Sequence, residues 1–212
     1  MDQRSVLKDS LGMFLRNLWD LMILNFLWLL CSLPLITLGP ATCGLYRVAL
    51  KLARKEAVYP AKDFFRAFRD GLKQGTVLGL LALVLLAVAA VDAFFAIGQT
   101  GMLRSVYLTV AIVVASVLLT VTAYGFALQA MVQNSVKGIL VNAAKLAVIA
   151  PGKTVLMWII LLAPVGLLLL LPPIALQMLG FMYIILGVSG PVYACCHILR
   201  DLFDKVANAA EQ

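Results

Sequence analysis

Asp92 is the most unusual polar residue in this sequence, because it lies deep inside a long apolar run. A helix that begins near Val77 places Asp92 about 22 Å from its start. A carboxylate inside a bilayer costs several kcal/mol unless it is paired or solvated. Asp92 is therefore either a proton or cation site or the ion-pair partner of Arg104 across a short turn. We expect the ion pair.

Several amides also interrupt apolar segments. They either bind a polar solute such as a sugar, or they donate hydrogen bonds between helices, each contributing about 0.6 kcal/mol. We expect helix contacts at all of them: Gln129, Gln133, Asn134 and Gln177. Asn25 and Asp20 carry the same two alternatives. Together with Asp92, Gln129 and Gln177 form the candidate intramembrane polar site.

No catalytic motif is present in the sequence. A glycine-rich phosphate loop, GxSxG and HExxH are all missing. His197 follows Cys195 and Cys196, but neighbouring residues of a helix point about 100° apart, which is poor metal geometry. We therefore expect no enzyme activity, no metal and no cofactor.

The composition is that of a membrane protein. Hydrophobic residues make up 63% of the 212 residues and charged residues 13%, about half of the usual share. The mean hydropathy is +1.02, and several apolar runs approach the length of about twenty residues that a helix needs to cross a bilayer. The first run, from 18 to 38, is too long for a signal peptide. The sequence thus predicts an all-α integral membrane protein.

The chain repeats one pattern three times within a single membrane domain: an interfacial helix, an outgoing span, a turn and a returning helix. The units are 1–55, 59–130 and 133–199, followed by a polar tail at 200–212. Charged and apolar residues alternate at helical spacing in the interfacial stretches 1–17, 59–74 and 133–148. This organisation predicts a helical hairpin bundle of four full spans plus a proline-broken N-terminal hairpin, with five or six membrane helices.

Proline and glycine mark the predicted breaks in this bundle. Pro34 should kink the first apolar helix, and Gly39-Pro40 should end it. Gly190-Pro191 should bend the last span. The stretch 41–55 is either the returning arm of a re-entrant hairpin or a short span whose lower half emerges into water.

Positive charge indicates the orientation. With the first unit closed as a hairpin, all of the 17 lysines and arginines except Arg104 fall on one side of the membrane, whereas a five-span alternative divides them more evenly. The positive-inside rule then places both termini in the cytoplasm. The net charge of +7 is explained by topology and anionic-lipid contact, with no nucleic-acid binding. The basic residues of the central stretch form a candidate partner or lipid face: Arg47, Lys51, Arg54, Lys62, Arg66, Arg69 and Lys73.

Residues 27–50 resemble the YesL family, a domain of unknown function found mainly in Firmicutes. The shared pattern is W-L-x-C-x-L-P-x-x-T-x-G-P-A-T, which here comprises Trp28, Leu29, Cys31, Leu33, Pro34, Thr37, Gly39, Pro40, Ala41 and Thr42. The phenylalanine-rich basic helix at 64–73 is also similar. The family has no established catalytic or ligand-binding residues. Its members often lie near genes for carbohydrate uptake and polysaccharide breakdown, which implies a role beside sugar ABC transporters.

These observations lead to two functional hypotheses for a multi-pass protein of the cytoplasmic membrane. The first is an accessory or regulatory partner of a carbohydrate ABC-type uptake system, contacting permease subunits through residues 47–73 and the interfacial helices. The alternative is a small solute or ion transporter or channel that uses the broken helices and Asp92.

Overall fold

A computed structural model of the chain describes residues 17–131, 135–170, 180 and 183–210. The described residues form helices joined by short turns and include no strand, which confirms the all-α prediction. The predicted interfacial helix at 1–17 lies almost wholly outside this part of the chain. Gln133, Asn134 and Gln177 lie outside it as well.

The described part of the chain begins with a hairpin of two short helices. Helix α1 runs over Leu18–Ser32, a single 3₁₀ turn over Leu35–Thr37, and helix α2 over Leu38–Ala53. Pro34, between them, has an extended backbone. The prediction that Gly39-Pro40 ends the first helix was wrong, because both residues lie in the first turn of α2. Proline is tolerated there, since the first N–H groups of a helix have no partner within it.

Helix α2 is the centre of the structure. All of its residues are buried except Leu38, Arg47 and Lys51, which are partly buried. It packs against α1 and against helices described below as α3, α4, α6 and α9. Its 16 residues extend about 24 Å, less than the roughly 30 Å of a hydrocarbon core. Its length and central position therefore favour the re-entrant alternative for residues 41–55.

Two long helices follow a short amphipathic one. Helix α3 covers Pro60–Asp70 and α4 covers Leu72–Ile97. After a turn, α5 covers Gly101–Thr120 and continues through a π-helical turn, Val121–Gly125, into α6, Phe126–Met131. Gly101 has φ +64°, a left-handed conformation that glycine adopts without a Cβ penalty. Both α4 and the continuous segment Gly101–Met131 are long and apolar enough to cross a membrane.

The last third of the described chain contains a sharp bend and a helix break. Helix α7, Val136–Ile149, and helix α8, Pro151–Leu170, meet at Ala150, and their axes differ by 108°. A helical turn at 183–186 is followed by α9, Ser189–Ala210. By length and composition, the described residues contain three helices that can cross a membrane, or four with the bent pair counted as one.

Small residues allow the N-terminal hairpin to approach α4 at backbone distance. Gly75 and Gly79 are four residues apart on one face of α4, and Gly39 of α2 packs against both. A Cβ at Gly79 would lie 2.7 Å from the Cα of Gly39, and a Cβ at Gly39 would overlap the carbonyl oxygen of Gly75. Small residues at this spacing are a known packing motif of membrane helices. Gly39 therefore has a packing role that a kink does not describe.

Asn25 joins the first helix to the break before the last one. Its amide nitrogen donates hydrogen bonds to the carbonyl oxygens of Ile184 (2.6 Å) and Tyr183 (3.3 Å). Its amide oxygen accepts hydrogen bonds from the N–H groups of Val188 (3.1 Å) and Ser189 (3.0 Å). One buried side chain thus satisfies backbone groups on both sides of the turn at Gly187, as the helix-contact interpretation of Asn25 predicts.

Replacing Gly39 tests the backbone contact between α2 and α4. We expect Gly39→Ala to lower the free energy of unfolding by about 3 kcal/mol, because overpacking is costly and the obstacle here is backbone. Gly166→Ala is the control, since nothing lies within 4 Å of a Cβ at that helical position. Thermal unfolding of the detergent-solubilised proteins gives the comparison. Equal midpoints for the two variants would rule out an obligatory glycine at position 39.

Replacing Asn25 tests the connection between the helix ends. Asn25→Leu keeps the branching and the number of side-chain heavy atoms but removes the hydrogen bonds to the N–H groups of Val188 and Ser189 and to the Ile184 C=O. The Tyr183 C=O still accepts a hydrogen bond from the Gly187 N–H. We expect a loss of about 2–4 kcal/mol, because each unsatisfied buried group costs about 1–3 kcal/mol and partial rearrangement recovers some of it. Asn142→Leu, at an exposed position of α7, should change stability little. Similar unfolding curves for both variants would contradict this role for Asn25.

A basic candidate site at one end of the bundle

The seven basic residues of the predicted face lie at one end of the bundle: on the second half of α2, at Arg54 directly after it, on α3 and at the start of α4. Two of them form ion pairs. Arg47 pairs with Asp70 at 3.4 Å, and Lys51 pairs with Asp63 at 3.3 Å. The Arg47–Asp70 pair is about half exposed to solvent, so it contributes little to stability.

The Lys51–Asp63 pair is better shielded and fixes the start of α3. The Asp63 side chain is 13% exposed, and its carboxylate also accepts a hydrogen bond of 3.2 Å from the backbone N–H of Tyr59. Partial burial raises the pKa of Asp63. The hydrogen bond from Tyr59 and the contact and charge of Lys51 outweigh this effect, so that the pKa lies below its ordinary value of 3.8. The ion pair holds α3 against α2.

The other five basic residues have no carboxylate partner among the described residues. All five side chains belong to exposed residues. They are Arg54, Lys62, Arg66, Arg69 and Lys73. Since none of the five forms an ion pair within the described chain, this end of the bundle presents a positive surface.

A cavity of about 670 Å³ opens between this surface and the end of α6. Arg47, Arg69 and Lys73 contribute its positive charges, and Asp70 contributes its carboxylate. The start of α4 and the end of α6 form opposite walls, so the cavity lies at the same end of two candidate spans. We call this cavity the basic pocket. The spacing of the basic residues predicted that the three cations share one face, but it did not predict a cavity between them.

Gln129 lies in the wall of the basic pocket, where its amide nitrogen donates a hydrogen bond of 2.9 Å to the side-chain oxygen of Gln74. Gln74 is at the start of α4 and Gln129 is in α6, so this bond joins two candidate spans. This hydrogen bond is of the kind that the helix-contact interpretation of Gln129 predicts. Its own amide oxygen is buried without a hydrogen-bond partner.

Asp92 does not form the expected ion pair. Within the described residues, no ion pair joins it to Arg104, which is exposed. Asp92 is partly buried, and one of its carboxylate oxygens is buried without a hydrogen-bond partner. The two residues do lie near the same turn, as expected. Proximity in sequence does not ensure contact, however, because side chains on two neighbouring helices meet only when each lies on the face turned towards the other helix.

A second cavity, of about 310 Å³, lies in the middle of the bundle and is called here the central cavity. Both broken regions line it, through Leu38 after the first break and Gly187 and Val188 at the second. Thr122 of the π-helical turn and Pro164 of α8 also contribute. Irregular backbone in a membrane protein must be covered by protein or line a cavity. Asp92 is not among the lining residues, so the structure separates it from the broken helices.

Comparison with known proteins gives one match. Residues 21–93 match the family model "Protein of unknown function, DUF624". This is the domain of YesL-type proteins, and the match covers about a third of the chain. No curated protein and no solved structure matches the chain.

The matched region contains the pattern on which the YesL resemblance rests, and the structure assigns packing roles to several of its residues. The Trp28 ring N–H donates a hydrogen bond of 3.1 Å to the Thr42 hydroxyl, which joins α1 to α2. The Thr37 hydroxyl lies 2.7 Å from the Cys31 carbonyl oxygen and 2.8 Å from that of Pro34. These residues close the hairpin, and none of them belongs to the basic pocket.

Acid titration tests the Lys51–Asp63 contact. A carboxylate whose pKa is lower in the folded chain stabilises the fold fully above its unfolded pKa, and this contribution is lost as the pH falls through the folded value. We therefore expect the wild-type protein to lose more stability than Asp63→Asn between about pH 5 and pH 2. Asp70→Asn, which removes a half-exposed carboxylate, should keep the wild-type profile. Parallel profiles for wild type and Asp63→Asn would contradict the assignment.

Proposed function

We propose that this protein is an accessory component of the cytoplasmic membrane that binds an acidic partner protein through its basic end. The observation that carries the proposal is the group of five exposed basic residues without carboxylate partners. Unbalanced charge of one sign steers a partner of opposite charge and fixes its orientation.

The packing of α3 against the core favours docking of a partner onto a preformed basic surface. Helix α3 carries Lys62 and Arg66 outwards, while Phe64 on its other face is fully buried. The Phe64 and Phe68 rings stack at 6.3 Å between centroids, and Lys51 holds the start of the helix through Asp63. The charged residues that a partner binds therefore lie on a helix that is already packed against the core. This lowers the entropy cost of ordering them when the partner binds.

The class of partner follows from the orientation and the resemblance. The positive-inside rule places the basic end in the cytoplasm. The resemblance to the YesL family then favours permease subunits of a carbohydrate ABC-type uptake system as partners. An acidic cytoplasmic loop of such a permease has the charge that this surface requires.

Transport of a small solute is the second candidate function. The central cavity supports it, because both broken regions and the π-helical turn meet there, and discontinuous helices at mid-membrane commonly surround transport sites. Asp92, with its unpaired carboxylate oxygen, supports it separately as a polar group within a candidate span.

Crosslinking in cells followed by purification in mild detergent tests the accessory role. Cells grown on plant polysaccharide would carry the tagged wild-type protein, a Lys62→Glu/Arg66→Glu variant, or a Lys137→Glu/Lys145→Glu control with the same change of charge on α7. We expect permease subunits to copurify with the wild type and the control. Their recovery should fall at least tenfold with the α3 variant, because two attractions become repulsions.

Two results would contradict the accessory role. One is equal recovery of the partner with both double variants, which would place the contact elsewhere. The other is purification of the protein alone combined with sugar or ion flux in reconstituted vesicles, which would transfer support to the transport function.

A further inference from the structure

We propose that the basic pocket binds the phosphate headgroup of an anionic phospholipid. The proposal concerns Arg47, Arg69 and Lys73, which line the cavity. Arg69 and Lys73 also belong to the five basic residues of the proposed partner surface, whereas Lys62 and Arg66, which the crosslinking experiment changes, do not line the cavity. Basic pockets between membrane helices on the cytoplasmic side are suited to acidic headgroups.

The charge balance inside the pocket favours an anion. Three cationic side chains line it against the single carboxylate of Asp70. The Arg47–Asp70 pair is separated by 3.4 Å and half exposed, so an incoming phosphate can compete for Arg47 at little cost. Arginine binds phosphate through paired N–H donors and lysine through a point charge, and the pocket offers both.

The position of the pocket favours a lipid over a soluble phosphate. Its walls include the first residues of α4 and the last residues of α6, and both belong to candidate spans that continue away from the pocket. The boundary between charged and apolar residues therefore coincides with the pocket, as it does at the headgroup level of a bilayer.

Apolar surface continues from the pocket along the spans. Leu72 and Met131 line it and are 42% and 39% exposed, and the next turns of α4 expose Val77 and Leu80. When Arg69 and Lys73 bind the phosphate of a phospholipid, the acyl chains of the same molecule can thus lie along α4. The volume of about 670 Å³ is within the range of small-molecule sites, roughly 300–1,000 Å³.

Titration of the purified full-length protein with phospholipid tests this site. Dioleoylphosphatidylglycerol would be added to the protein in a neutral detergent, with binding followed by native mass spectrometry and by thermal stabilisation. We expect saturable binding, weakened at least tenfold in Arg69→Gln/Lys73→Gln. Lys137→Gln/Lys145→Gln, with the same loss of charge on α7, should bind as the wild type does. Helical content measured by circular dichroism checks that each variant is folded, and the single variants should give intermediate affinities.

Two further ligands distinguish the source of the phosphate. Dioleoylphosphatidylcholine should bind more weakly than phosphatidylglycerol, because its headgroup has no net charge. Glycerol 3-phosphate should not compete at equal concentration, because it lacks the acyl chains. Equal lipid binding by both double variants would overturn the site, and effective competition by glycerol 3-phosphate would overturn a lipid as its ligand. Since the assay contains no partner protein, its outcome is separate from that of the crosslinking experiment.

Discussion

The buried amide of Asn25 is the interaction on which the rest of the bundle depends. A break inside a membrane helix leaves N–H and C=O groups that lipid cannot satisfy. Here the side chain of one residue in α1 accepts from Val188 and Ser189 and donates to Tyr183 and Ile184. The first helix thereby fixes the start of the last one, and α2 packs against both. Without this amide, the N–H groups of Val188 and Ser189 and the C=O of Ile184 would need other hydrogen-bond partners.

The glycine contact between α2 and α4 provides a second constraint of a different kind. It holds the hairpin at backbone distance from α4 and so positions Arg47 and Lys51 opposite Asp70 and Asp63. Residues 21–93, which match the family model, include Asn25, the hairpin, the glycine contact and the basic face. The matched segment therefore contains both the residues that pack this end of the bundle and the charged residues on its surface.

Pattern and composition predicted the features that depend on local chemistry. The helical class, the proline-containing turn of the hairpin and the clustering of basic residues were all predicted from the order of the residues. The partners of Asn25 lie about 160 residues away, and no local pattern indicates them. Gly75 and Gly79 did indicate a close helix contact through their four-residue spacing, but this contact was not among the predictions. The π-helical turn at Val121–Gly125 requires only one additional residue within a turn, and the apolar sequence there gives no indication of it.

The short hairpin gives the bundle two different hydrophobic thicknesses. Gly39 lies beside Gly75 and Gly79, and α4 continues about 27 Å beyond that point. The hairpin ends earlier, with Leu33, Leu35 and Ile36 at its tip 77%, 66% and 60% exposed. The apolar surface of the hairpin is shorter than the hydrocarbon core of a bilayer, whereas the apolar surface of α4 is long enough to cross it. Mismatch of this kind is relieved by local thinning or tilting. The two sides of this protein would therefore deform the surrounding bilayer unequally, giving it a preferred direction in the membrane plane.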